Sequence, residues 1–171
     1  MAIDRLTYRP SSWIDPRVEA RLSPIRGRGL FAATPIRADE PVMIWGGEVV
    51  ERWRKGCVAI AEDRYLADPE AGVTGLDDLI NHSCDPNLWM QDEVTLIARR
   101  DIDAGEELTG DYVVWEADEG WVSGWRCRCG RARCRGVVTG RDWRSTELQE
   151  RYRHHFSPFV NRRIRRLLGE A

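Results

Sequence analysis

Apolar positions along this chain fall in short runs cut by glycine, proline and charge. Gly29–Ala33, Val42–Trp45 and Glu48–Arg52 read as short strands, separated by Pro35, Pro41 and the Gly46-Gly47 pair. Val94–Arg99 reads as another, and Asp103-Ala104-Gly105 as a turn into a strand over Glu107–Thr109. The period lengthens only near the end. There Phe159, Val160, Ile164, Leu167 and Leu168 share one helical face while Arg162, Arg163, Arg165 and Arg166 lie mostly elsewhere. Ser157 can cap that helix, Pro158 fits its first position and Gly169 can close its last turn. A preceding helix is expected over residues 145–156. Residues 1–20, with Pro10, Pro16 and Ser11-Ser12, read as an irregular arm that Trp13 pins to the core. The whole is a β-rich α+β pattern with helices gathered at the C-terminus.

Composition narrows the function classes. A chain of 171 residues has the size of one domain with a modest extension. Its net charge of −2 comes from nearly balanced signs, so any basic surface must be local. No apolar run approaches the roughly 20 residues of a membrane helix, and no export signal opens the chain, so a soluble intracellular protein is expected. Five cysteines without a secretory signal favour metal or chemistry over disulfides. Lys55 is the only lysine among 26 basic residues, as a codon bias towards arginine would give, or a pressure against lysine on this chain itself.

The candidate chemistry sits in four short motifs. Arg26-Gly27-Arg28-Gly29 leads into a strand, and glycines there either form a turn or let backbone approach a ligand. Asn81-His82-Ser83-Cys84-Asp85-Pro86-Asn87 offers amide and imidazole donors and acceptors for a polar ligand, or a histidine that bonds its own loop. Gly105-Glu106-Glu107-Leu108-Thr109-Gly110-Asp111-Tyr112 follows. Cys127, Cys129 and Cys134 then make three thiols, one short of a closed tetrahedral zinc site, or ordinary reduced cysteines. Arg126, Arg128, Arg131, Arg133 and Arg135 are interleaved with them and would favour thiolates.

In this order the motifs resemble the SET-domain protein-lysine methyltransferases with a cysteine-rich post-SET segment, over roughly residues 20–137. The resemblance implies a SET fold of small curved sheets with a pseudoknot, in which the later catalytic segment passes through a loop made by an earlier one. It implies an N-terminal arm (1–19), a SET domain (20–116), a post-SET zinc segment (117–138) and a C-terminal helical extension (139–171). It further implies that Arg26, Gly27, Arg28, Gly29, Asn81 and His82 bind S-adenosylmethionine. Trp125 would stand against the adenine, with Trp115 and Trp121 ranking behind it, and Tyr112 would be catalytic. Cys84 would join Cys127, Cys129 and Cys134 around zinc, leaving Cys57 over. The partner expected is a protein presenting a lysine, with nucleic acid a lesser option, in the cytoplasm or at DNA-bound protein in a nucleoid or nucleus. Glu51–Asp78 would help form the peptide groove and carries no specificity motif.

Three positions depart from the family pattern. Gly110 replaces an aromatic residue that limits how many methyl groups the pocket accepts, which leaves room unless another side chain fills it. Trp45 stands in place of a tyrosine, and Asp78 in place of an arginine. Two other classes stay open: a zinc-stabilised module binding nucleic acid or acidic protein, and a cofactor-binding protein without catalysis.

Overall fold

Strands this short bury a face only by pairing into several small sheets, and three form among the described residues. The computed structural model describes residues 8–54, 56–68, 75–116 and 118–170. Lys55, the first seven residues of the expected arm and residues 69–74 of the expected peptide groove lie outside them. In chain order the strands are β1 (Trp13–Ile14), β2 (Val18–Leu22), β3 (Arg28–Ala32), β4 (Pro41–Ile44), β5 (Glu48–Val50) and β6 (Val58–Ala61). They continue with β7 (Arg64–Ala67), β8 (Asn81–His82), β9 (Leu88–Met90), β10 (Thr95–Ala98) and β11 (Glu107–Gly110). One sheet has the order β1-β4-β10-β9, a second β2-β3-β11-β8, and the third β5-β7-β6.

The strands expected at 29–33, 42–45, 48–52, 94–99 and 107–109 all form, shifted or trimmed by a residue or two. The arm does not behave as irregular chain. Trp13↔Ile44 and Ile14↔Met43 pair β1 with β4, and β2 runs beside β3 from Val18↔Ala32 to Leu22↔Arg28. Within β2 only Val18 and Ala20 turn partly inward, while Glu19, Arg21 and Leu22 are exposed. This is the alternation of an edge strand, obscured in the sequence by the neighbouring prolines. The β6–β7 hairpin also forms inside the stretch read only as peptide groove.

Strand β11 sets the site. It pairs antiparallel with β3 through Glu107↔Phe31 and Leu108↔Leu30, and parallel with β8 through Thr109↔Asn81 and Gly110↔His82. Three of the four motifs thus meet in one sheet. Asn87, 3% exposed, secures the arrangement by donating to Glu107 O (2.9 Å) and accepting from Thr109 N (2.8 Å).

The expected helices are α1 (Thr146–Tyr152), continued by a 3-10 turn at Arg153–His155, and α2 (Pro158–Leu168). Ser157 Oγ accepts from Val160 N at 3.2 Å, and Gly169 closes α2 in the left-handed region at φ +73°. The apolar face of α2 ends sooner than its sequence suggests. Phe159, Val160 and Ile164 are buried, whereas Leu167 and Leu168 are 50% and 57% exposed, because the helix runs off the core at its last turn. Tyr152 and Phe156 are fully buried in edge-to-face contact, and Ser157 N bonds Val114 O at 2.7 Å. The helical extension is therefore fastened to the segment that follows Tyr112.

Candidate active site

The glycine loop is shaped from below by Asn81. Its Nδ2 donates to Arg26 O (3.1 Å), Arg28 O (3.1 Å) and Glu107 Oε1 (2.8 Å), and Ser23 Oγ donates to the same carboxylate at 2.7 Å. Gly27 sits at φ +51°, the left-handed region that glycine tolerates best. Gly29 is required for a different reason. A Cβ there would lie 2.2 Å from Glu107 Oε1 and 3.0 Å from Asn81 Nδ2. The loop, Asn81 and Glu107 form one hydrogen-bonded unit.

Both ring nitrogens of His82 are committed. Nδ1 accepts from Tyr112 N at 3.3 Å, so the proton is on Nε2, which lies 3.2 Å from Cys84 Sγ. Burial pushes the imidazole down to about 4, with the Asp111 carboxylate opposing this, so the 3.7 Å approach of Nδ1 to Asp111 is not an ion pair. His82 thus binds its own loop, buried between the Tyr112 and Trp125 rings.

Around Tyr112 the rings converge. Its centroid lies 5.2 Å from His82, 5.6 Å from Trp115, 6.3 Å from Trp121 and 6.1 Å from Trp125, and Trp45 meets Trp115 edge-on at 5.3 Å. The Tyr112 hydroxyl donates to Ile80 O at 2.8 Å, and burial pushes its pKa up to about 12. It is a phenol, not a phenolate, at any physiological pH. Trp125 carries the Arg26 guanidinium 5.4 Å from its ring and lies 5.8 Å from His82.

The space expected beside Gly110 is filled. A Cβ on Gly110 would sit 2.2 Å from Trp115 Cη2 and 2.8 Å from Cζ3, so the indole occupies the place where a side chain at 110 would project. Trp115 thus replaces from five residues downstream the bulk missing at Gly110. Among the departures, Asp78 lies in a 3-10 turn at Leu76–Leu79 and accepts from Gly75 N at 3.3 Å.

Cys84, Cys127, Cys129 and Cys134 come together with their sulfurs all within 4.8 Å of one another. The Cys84–Cys127 separation is 3.9 Å, against about 3.8 Å for the edge of a tetrahedron with zinc–sulfur bonds of about 2.3 Å. The donor set and spacing fit a zinc ion. Burial pushes Cys84 up to about 11 and Cys127 higher still. Burial acts the same way on Cys129, but N–H and S–H donors around it outweigh burial and draw it down to about 7. Cys57 lies apart, its sulfur accepting from Arg54 N at 3.5 Å.

Two features of the site were not assigned from sequence. Asn87 stood in a quoted motif without a role, and the side chains that bond Asp111 (Arg135 and Tyr152) come from segments 24 and 41 residues away. Only the fold brings those side chains together.

Comparisons with known proteins bear on the family and the fold. The profile of the SET domain family matches residues 27–113, just over half of the chain. "Histone-lysine N-methyltransferase ATX2" of Arabidopsis thaliana is 33% identical over 150 residues, which is 75% of this chain and 13% of the relative. "Histone-lysine N-methyltransferase ash1" of Drosophila melanogaster is 30% identical over 160 residues, 79% of this chain and 7% of the relative. The chain therefore spans a small fraction of these relatives' length. A solved structure, KRYPTONITE in complex with mCHG DNA and SAH, superposes with a TM-score of 0.57 at 29% identity, covering 70% of this chain and 28% of that one.

Proposed function

This chain belongs to the SET-domain family, and on that premise we propose that it transfers a methyl group from S-adenosylmethionine to the side-chain amine of a protein lysine. The observation that supports this best is the convergence of the Tyr112, His82, Trp115 and Trp125 rings beside the Gly27–Gly29 loop.

S-adenosylmethionine supplies an electrophilic methyl on a sulfonium. The fit of this ligand rests on the glycine turn at Gly27, the flat face of Trp125 and the Arg26 cation above it, which suit an adenine and an amino-acid carboxylate. Arg26, Gly27, Arg28, Gly29, Asn81, His82 and Trp125 would hold it, Asn81 by shaping the loop and His82 by packing beneath Tyr112 and Trp125. Cys84, Cys127, Cys129 and Cys134 would hold zinc, closing the lid that carries Trp125.

The acceptor amine must arrive uncharged. A free lysine has a pKa of about 10.4, and walls of indole favour its neutral form by excluding water. Tyr112 keeps its proton, so it orients the amine and does not deprotonate it. Trp45, Trp115 and Trp121 shape the narrow end and hold the lone pair on the line of displacement, where alignment governs rate. The relatives' names point to histone lysines, so core histones are the first acceptors to test. Among the described residues no helix is long and apolar enough to cross a membrane.

The test incubates zinc-replete protein with labelled methyl donor and either core histones or whole-cell lysate, then locates the label by mass spectrometry. Label on lysine Nζ, absent with Tyr112→Phe, is expected. Absence of transfer in both mixtures, or label on another atom, overturns the proposal.

A further inference from the structure

Asp111, immediately before Tyr112, is wholly buried. Its carboxylate accepts from both terminal nitrogens of Arg135 at 2.7 Å, from the Tyr152 hydroxyl at 2.8 Å and from Val113 N at 3.2 Å. The last bond makes Asp111 the cap of the 3-10 turn Tyr112–Val114. The same Arg135 donates through Nε to Asp142 at 2.9 Å, and its backbone N donates to Cys84 Sγ at 3.3 Å. Asp142 is held in turn by Thr139 Oγ1 at 2.6 Å. One guanidinium thus touches the start of the catalytic turn and the C-terminal extension, while its backbone follows Cys134 directly.

We propose that Arg135 is a positioning residue that acts on Tyr112 through Asp111, so that the catalytic turn is set only when the cysteine segment is docked, with Tyr152 and Asp142 completing the clamp. This rests on reading Tyr112 as the residue that orients the amine. A buried carboxylate is tolerated when a well-placed cation faces it and is strongly destabilising when that cation is removed. Arg135 meets Asp111 with a planar fork that a lysine could not reproduce. Among the described residues no other arginine pairs with Asp111. When the segment carrying Cys127, Cys129 and Cys134 lifts away, Arg135 leaves with it. Asp111 must then turn towards water, and the turn it caps carries Tyr112 off position. The extension is part of this device: Tyr152 reaches Asp111 from α1 and Asp142 steers the guanidinium from below.

Hydrogen exchange measured by mass spectrometry tests the coupling without any assay of catalysis. In the wild-type protein, chelation should speed exchange in residues 127–135 and also in 111–115. In Arg135→Met, 111–115 should exchange fast from the start and no longer respond to chelation, while 127–135 still responds. A kcat fall on the order of 10- to 100-fold with little change in the Michaelis constant for the methyl donor is expected alongside, because a misplaced orienting group costs rate. Tyr152→Phe, which keeps the packed ring, should give a weaker version of both effects. Asp111→Asn combined with Arg135→Met should lose less than the two single effects added, since both charges go together. Unchanged exchange of 111–115 on chelation in the wild type, an identical response in Arg135→Met, or strict additivity overturns the inference. A protein that transfers no methyl group at all would remove the proposed function but leave the exchange results to decide the coupling.

Discussion

A side chain at position 110 and the indole at position 115 compete for one volume, and that competition can be measured. The Cβ of Gly110→Ala would lie 2.2 Å and 2.8 Å from two Trp115 ring atoms, inside any real contact distance, so the ring must shift. Overpacking of this kind costs about 1–3 kcal/mol, which for a chain of this size lowers Tm by roughly 2–4 °C per kcal/mol. Trp115→Ala alone removes a partly buried indole that packs on Trp45 and Tyr112 and should cost a comparable few kcal/mol, about 2–3. In the double variant Gly110→Ala/Trp115→Ala the clash is gone, so the alanine at 110 should cost nothing further, and the cycle should show coupling of about 1–3 kcal/mol. Differential scanning calorimetry of the four proteins reads this directly. The catalytic counterpart is the product: Trp115→Ala should shift the distribution towards higher methylation states by opening the space beside Gly110. Mass spectra over a time course check it. Additive melting temperatures together with an unchanged product distribution would refute the view that Trp115 supplies the bulk absent at 110.

Other expectations follow from the same geometry. Gly29→Ala should push Glu107 and Asn81 apart and weaken cofactor binding by on the order of tenfold in titration calorimetry, since it breaks the bonds that shape the loop. Asn87→Ala strips a partner from the Thr109 amide and should cost about 2–3 kcal/mol in denaturant unfolding. Chelation should release about one zinc per chain and weaken binding of the methyl donor, read as metal content and affinity on the same sample. Turnover should rise with pH, because the acceptor ammonium must lose a proton. Tyr112, held near 12, should impose no falling limb below about pH 11 in a kcat profile taken on an acid-stable and base-stable sample.

The candidate site could be nominated from sequence because its pieces are local. Each motif is a short run of adjacent residues: glycines where the chain turns, thiols at short spacing, a capped helix from Ser157 to Gly169. What failed locally failed for a physical reason. The strands at Trp13–Ile14 and Val18–Leu22 lie among prolines and gain their stability from pairing with β4 and β3, which the local pattern of residues 13–22 does not show. Periodicity marked the apolar face of α2 but not where the core beneath it stops, and Leu167 and Leu168 lie beyond that point.

The sequence by itself determined the chemical inventory: the thiols, the glycine loop, the phenol, the excess of indoles, and the family to which their order belongs. Tertiary structure alone decided what each does to its neighbours. Cys84 meets three thiols 43 or more residues later, Trp115 fills the room left at Gly110, and Arg135 reaches Asp111 from behind the cysteine segment. Such relations depend on distances between side chains far apart in the chain, and those distances exist only once β3, β8 and β11 have paired and drawn the remaining segments around them.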